Sequence, residues 1–207
     1  SNSNNTGVGK NALFSITTGG TNNVMGSAAA DALTTGSGNV MIGHAAGTNT
    51  TDVDNTVIIG KDAGIADMTD AADGTIAIGK SALGALTSGA RNVAIGYQAM
   101  DSLTQGDDNI GIGVDALGSM AATNGNDRNL AIGSYALANA GASSNVAADN
   151  IAIGYSAGVQ ITTGDSNMAI GASAGAAITT GSYNTMVGKA AGTALVNGVS
   201  NVAVGFE

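Results

Sequence analysis

One arrangement of polar and apolar positions runs through the whole chain: a polar residue, an apolar triplet, a glycine, and an alanine three residues beyond it. It reads "NVAIGYQAM" at 92–100, "NIGIGVDAL" at 109–117, "NLAIGSYAL" at 129–137 and "NIAIGYSAG" at 150–158. The Gly after the triplet recurs as Gly9, Gly26, Gly43, Gly60, Gly79, Gly96, Gly113, Gly133, Gly154, Gly171, Gly188 and Gly205. Eight of the eleven spacings are 17 residues, and the others are 19, 20 and 21. A short fixed period signals a solenoid, because a unit this small cannot bury its own apolar face and must stack on its neighbours. No composition shift interrupts it, so residues 1–207 read as a single repeat domain.

Aligned on that Gly, the units become columns. Asn stands four residues before it in ten of twelve units, among them Asn92 and Asn150, with Thr56 and Thr75 as exceptions. Such a stack resembles an amide ladder, each side chain bonding the next coil. Val, Ile or Met precedes the Gly in every unit, as Ile95 precedes Gly96 and Ile153 precedes Gly154, and these residues favour a pleated strand. Three residues after the Gly sits Ala in all eleven units that continue that far, including Ala99 and Ala157, which implies close backbone approach. A second Gly follows ten residues on in seven units and marks a turn. Repeated Gly and β-branched triplets argue against a helical solenoid. The expected fold is therefore all-β, a parallel β-solenoid of about twelve coils, with eleven steps of roughly 4.8 Å giving a rod on the order of 50 Å long.

In a strand, the residues one and three before the Gly face one way and the residue two before it faces the other. This second face would be polar if water covered it. It carries Gly7, Val24, Met41, Ile58, Ala77, Ala94, Gly111, Ala131, Ala152, Ala169, Met186 and Ala203. Both faces thus read as buried, one in the coil interior and the other against sister chains.

Composition narrows the partners. The net charge of −9, from 15 acidic and 6 basic residues, works against nucleic acid, and no run approaches a membrane span. With no Cys, disulfides and thiolate chemistry are excluded. The aromatic content is 3% against 43% apolar residues, which suits a narrow, regular interior. "SNSNNTGVGK" lacks the pattern of a signal peptide and "NVAVGFE" stops just after a motif, so the chain reads as an excerpt.

The units "NVAIGYQA", "NIAIGYSA" and "NMAIGASA" resemble the head repeats of YadA-type trimeric autotransporter adhesins, and equally the "AIGYQAL" repeats of bacteriophage tail fibres and bacterial surface proteins. The resemblance covers essentially the whole chain. It implies a left-handed β-roll, a homotrimer, an extracellular location on a virion or cell, and attachment to a host-surface glycan or protein receptor. The 17-residue period and the "LTTG" segment depart from the adhesin heads and favour the phage-fibre branch.

Motifs that resemble chemistry are in phase with the repeat. "GTIAIGKS" at 74–81 matches the phosphate-loop pattern, but its "TIAI" is the strand of every other unit, and no following helix is expected. "GIGVDA" at 111–116 and "GVGKNA" at 7–12 match the dinucleotide pattern without a βαβ context. His44 shares the column just after the Gly with Lys10, Lys61, Lys80, Lys189, Tyr97, Tyr155 and Phe206. Long charged side chains place that column in solvent, where aromatic and basic residues can also contact a receptor. The acids, such as Asp52, Asp54, Asp67, Asp70, Asp73, Asp107 and Asp108, fall in turns without a calcium-loop pattern, so no metal, cofactor or enzymatic activity is expected.

The leading expectation is an oligomeric, adhesive fibre segment. An ice-binding β-solenoid is the alternative, raised by Thr recurring eight residues after the Gly, as in Thr17, Thr34, Thr87 and Thr104, and a self-stacking filament is another. The three longer units place extra residues at 66–74, 119–128 and 138–149, read as outer turns where nothing must pack. In the latter two, Asn124, Asp127, Arg128, Ser143 and Asn145 are the candidate receptor contacts.

Overall fold

The computed structural model describes residues 4–120, 125–141 and 146–206. Each apolar triplet forms one short strand: β1 (Thr6–Val8), β2 (Asn23–Met25), β3 (Val40–Ile42), β4 (Val57–Ile59), β5 (Ile76–Ile78), β6 (Val93–Ile95), β7 (Ile110–Ile112), β8 (Leu130–Ile132), β9 (Ile151–Ile153), β10 (Met168–Ile170), β11 (Thr185–Val187) and β12 (Val202–Val204). They pair in parallel, in sequence order, as one twelve-stranded sheet. The register matches the repeat, with Ile76 beside Val93, Ala77 beside Ala94 and Ile78 beside Ile95. The chain is thus an all-β solenoid. Among the described residues the only helical element is one 3-10 turn, Asp70–Ala72.

Sequence reasoning assigned the two sheet faces the wrong way round. The residue two before the Gly points inward: Val24, Met41, Ile58, Ala77, Ala94, Ala131, Ala152, Ala169 and Met186 are all buried. The flanking residues point outward, with Val8 52%, Met25 54% and Ile132 37% exposed. The reason is volume. The coil is narrow, so its interior takes the variable and often small column, while the columns that are mostly Val, Ile, Leu or Met stand outside.

In most coils that interior column is packed against the residue four after the Gly in a complementary way, Ala152 with Gly158 and Ala169 with Gly175 being the exceptions. Where the strand contributes Met41, Ile58 or Met186, the turn contributes Gly47, Gly64 or Gly192. Where the strand contributes Ala77, Ala94 or Ala131, the turn supplies buried Leu83, Met100 or Leu137. A Cβ added at Gly47 would stand 2.5 Å from the Met41 sulfur, so the two columns share one space. Leu33, Leu86, Leu103, Ile161 and Ile178, seven after the Gly, close the far side of the core.

Two Gly columns have different causes. The register Gly takes φ between +125° and +148°, and a Cβ on Gly60 would stand 2.5 Å from the Gly79 carbonyl oxygen of the next coil. The second Gly, read as a turn residue, has no left-handed backbone at Gly19, Gly36, Gly89, Gly164, Gly181 or Gly198. It is small because the next coil presses on it; a Cβ on Gly89 would lie 2.9 Å from the Gly106 nitrogen. The left-handed turn positions lie instead two, four and twelve residues after the register Gly, as at Gln98 (φ 53°), Met100 (φ 51°) and Asp108 (φ 61°).

The Asn column is a buried ladder, as its spacing implies. Asn109 Oδ1 accepts from both the backbone N–H of Asn129 (3.0 Å) and its Nδ2 (3.1 Å). Asn109 Nδ2 donates to Asn92 Oδ1 at 3.2 Å and to the Asn126 carbonyl at 2.7 Å. At the exceptional Thr56, its Oγ1 donates to Asn39 Oδ1 at 2.7 Å, and the relay resumes from Asn92 to Asn109.

Candidate binding surfaces

Three ladders tie exterior side chains from coil to coil. Thr17 Oγ1 donates to the Thr34 carbonyl at 2.9 Å, and Thr34 and Thr87 repeat this bond one coil on. Six residues before the next register Gly, carboxylates accept the previous coil's backbone N–H: Asp73 from Asp54 at 2.7 Å, Asp107 from Ala90 at 2.9 Å and Asp127 from Asp107 at 2.9 Å. In the next column Arg91 makes a two-pronged pair with Asp108 (2.7 and 2.9 Å), as does Arg128 with Asp149 (2.7 and 3.0 Å). These hydrogen bonds hold the Asp108 and Asp149 carboxyls below the usual range. Asp73 is pushed up, first by burial, against its hydrogen bond from Asp54 and with added repulsion from Asp54, Asp70 and Asp52.

The predicted contact residues divide accordingly. Asn124, Ser143 and Asn145 lie outside the described residues. Asp127 and Arg128 belong to the two outer ladders, and each is tied to a neighbouring coil. Turn preference alone therefore understates the acids, which bind coil to coil. The insertion at 66–74 is packed, contrary to the expectation of a loose excursion: Met68 and Ala72 enter the core with no exposure. Its extra residues form the 3-10 turn that delivers Ala72 inward.

The column after the register Gly faces solvent, as its lysines require: Lys10, Lys61, Lys80 and Lys189 are exposed, with Tyr97, Tyr155 and Phe206. Lys80 lies 5.5 Å over the Tyr97 ring and Lys189 5.4 Å over Phe206, pairing cations with rings along the axis. His44 is exposed, with Nδ1 3.8 Å from Asp62. The "TIAI" of 75–78 contributes strand β5, and Ser81 follows in left-handed backbone rather than a helix, so no phosphate cradle forms. The same strand context holds at 7–12 and 111–116.

A notch breaks the regular surface beside the column five residues after the Gly. That column runs Asp101, Gly118, Ala138, Val159 over four successive coils. Gly118 and Ala138 are among its lining residues, and the concavity measures about 420 Å³. Asp115, Tyr135, Ser102, Ser119 and Asn139 also line it. Asp101 receives Gln98 Nε2 at 3.1 Å and the Ser102 hydroxyl at 3.4 Å. Burial pushes its carboxyl up, opposed by the Ser102 and Gln98 bonds and reinforced by Asp115.

Among the described residues no group of three or more acidic or His side chains is placed to hold a metal ion, and no helix is long and apolar enough to cross a membrane. No family profile, curated protein or solved structure matches the chain.

Proposed function

We propose that the chain is a segment of an oligomeric β-solenoid fibre, a homotrimer, that projects from a virion or cell and supports attachment to a host surface. The outer sheet face carries this reading. Its two columns, from Val57, Ile76 and Val93 to Ile59, Ile78 and Ile95, are apolar except at Thr6, Asn23 and Thr185. Eleven strand spacings of ~4.8 Å make a strip ~50 Å long and ~10 Å wide, or ~500 Å², near the upper end of apolar patches on monomers. Two such strips in contact bury about 1,000 Å², the threshold of a stable interface. Stacked coils give stiffness, and several chains holding identical sites raise avidity without new contacts. The three-fold number and the attachment role rest on the resemblance of the "NVAIGYQA" units.

The Thr ladder weakens the ice-binding alternative, since Thr17, Thr34, Thr87 and Thr162 donate their hydroxyl protons to the next coil. Substituting Ile78, Ile95 and Ile112 together by Lys tests the proposal. The expected result is an oligomeric wild type and a monomeric variant with the same circular dichroism spectrum, measured by sedimentation velocity. A variant that assembles like the wild type would show that this face is not the interface.

A further inference from the structure

Three polar columns of this surface are tied from coil to coil, and the notch between Asp101 and Val159 gathers in one concavity polar groups that are not. The Asp115 carboxylate, the Ser119 hydroxyl, the Asn139 amide and the Tyr135 hydroxyl make no side-chain hydrogen bond to the described residues, yet all four line one concavity. Its existence follows from the sequence of one column. Asp101 and Val159 stand at its ends, and the residues between them, Gly118 and Ala138, have almost no side chain. Tyr135 packs at right angles on Tyr155, ring centroids 5.9 Å apart, and its left-handed backbone (φ 61°) is held by a hydrogen bond from its N–H to the Val114 carbonyl at 2.9 Å.

The chemistry of these groups selects a ligand class. Two carboxylates, Asp101 and Asp115, exclude an anion on a chain whose net charge is already −9. Carboxylates and a primary amide together accept and donate the paired hydrogen bonds that vicinal hydroxyls require. A half-exposed tyrosine ring offers an apolar face for C–H groups with a polar tip beside it. The volume lies within the range of small-molecule sites. We propose that the notch at Asp101, Asp115, Ser119, Tyr135 and Asn139 is a subsite for one uncharged pyranose residue of a surface glycan. Its hydroxyls donate to the two carboxylates, and its C–H face lies on the Tyr135 ring. The inference rests on the attachment reading for its biological purpose and specifies what that attachment recognises. In an oligomer the notch is repeated on every chain, so an affinity on the order of 1 mM for one sugar is multiplied by valency.

The test is titration of the intact protein with methyl pyranosides of glucose, galactose and mannose and with N-acetylglucosamine, followed by ligand-observed NMR and calorimetry. At least one sugar is expected to saturate a single site per chain. Tyr135→Asn, which keeps a residue tolerant of left-handed backbone, and Asp115→Asn are each expected to weaken it at least tenfold. Tyr183→Asn, an equivalent change at an exposed tyrosine several coils away, is expected to leave it unchanged. Circular dichroism confirms that each variant is folded. No saturation by any of these sugars up to ~10 mM, an order of magnitude above the expected constant, would overturn the proposal. So would binding indifferent to both notch variants, or occupation of the notch by calcium or oligolysine in place of sugar. Failure of sugar binding by an assembled protein would overturn the subsite alone, whereas a monomeric wild type would overturn the fibre reading whatever the sugar result.

Discussion

At the scale of single residues, the fold depends on positions that tolerate one chemistry. Asn109 is the clearest case, because its amide joins three coils and is fully buried. Asn109→Ala leaves the Asn129 N–H and the Asn126 carbonyl without that partner, and it is expected to cost about 3 kcal/mol or more in chemical denaturation. Gly60→Ala is expected to be at least as damaging, since both the positive φ of 137° and the approach of the Gly79 carbonyl forbid a methyl group. The Asn and Ala columns were readable from sequence because the Ala column admits a single residue type and the Asn column departs from Asn only at Thr56 and Thr75. Left-handed backbone at Leu83, Met100 and Leu137 was not readable, since these side chains carry no turn preference and adopt that conformation only because the coil requires them inside.

At the scale of the element, one strand and one turn form each packing unit, and volume moves between them. Met41→Ala is expected to destabilise by about 2–4 kcal/mol by opening a cavity over Gly47. Adding Gly47→Leu is expected to recover part of that loss, because Leu83 already occupies the corresponding left-handed position opposite Ala77. The check is a double-mutant cycle; strictly additive effects would contradict the shared space. This complementarity also explains why strand alternation misled the assignment of faces. An alternating pattern of Ile, Ala, Ile names two faces, but only the size of the coil decides which is inside. Likewise the length of the 66–74 insertion showed that the unit differs, and nothing in "ADMTDAADG" announced that Met68 and Ala72 turn inward.

At the scale of the whole molecule, the repetition of small local choices produces one parallel sheet whose outer columns are apolar except at Thr6, Asn23 and Thr185. Parallel coils of one chain satisfy the backbone along the axis and leave that face without a partner inside the chain. The candidate notch has the opposite origin, a place where the repeat lapses, and so the columns that made the fold legible concealed it. The central claim is that the apolar face is covered by further copies of the chain. Multi-angle light scattering of the purified protein at micromolar concentration tests it most directly. The account predicts a particle of three times the 19.8 kDa chain mass. A stable particle of one chain mass would contradict it.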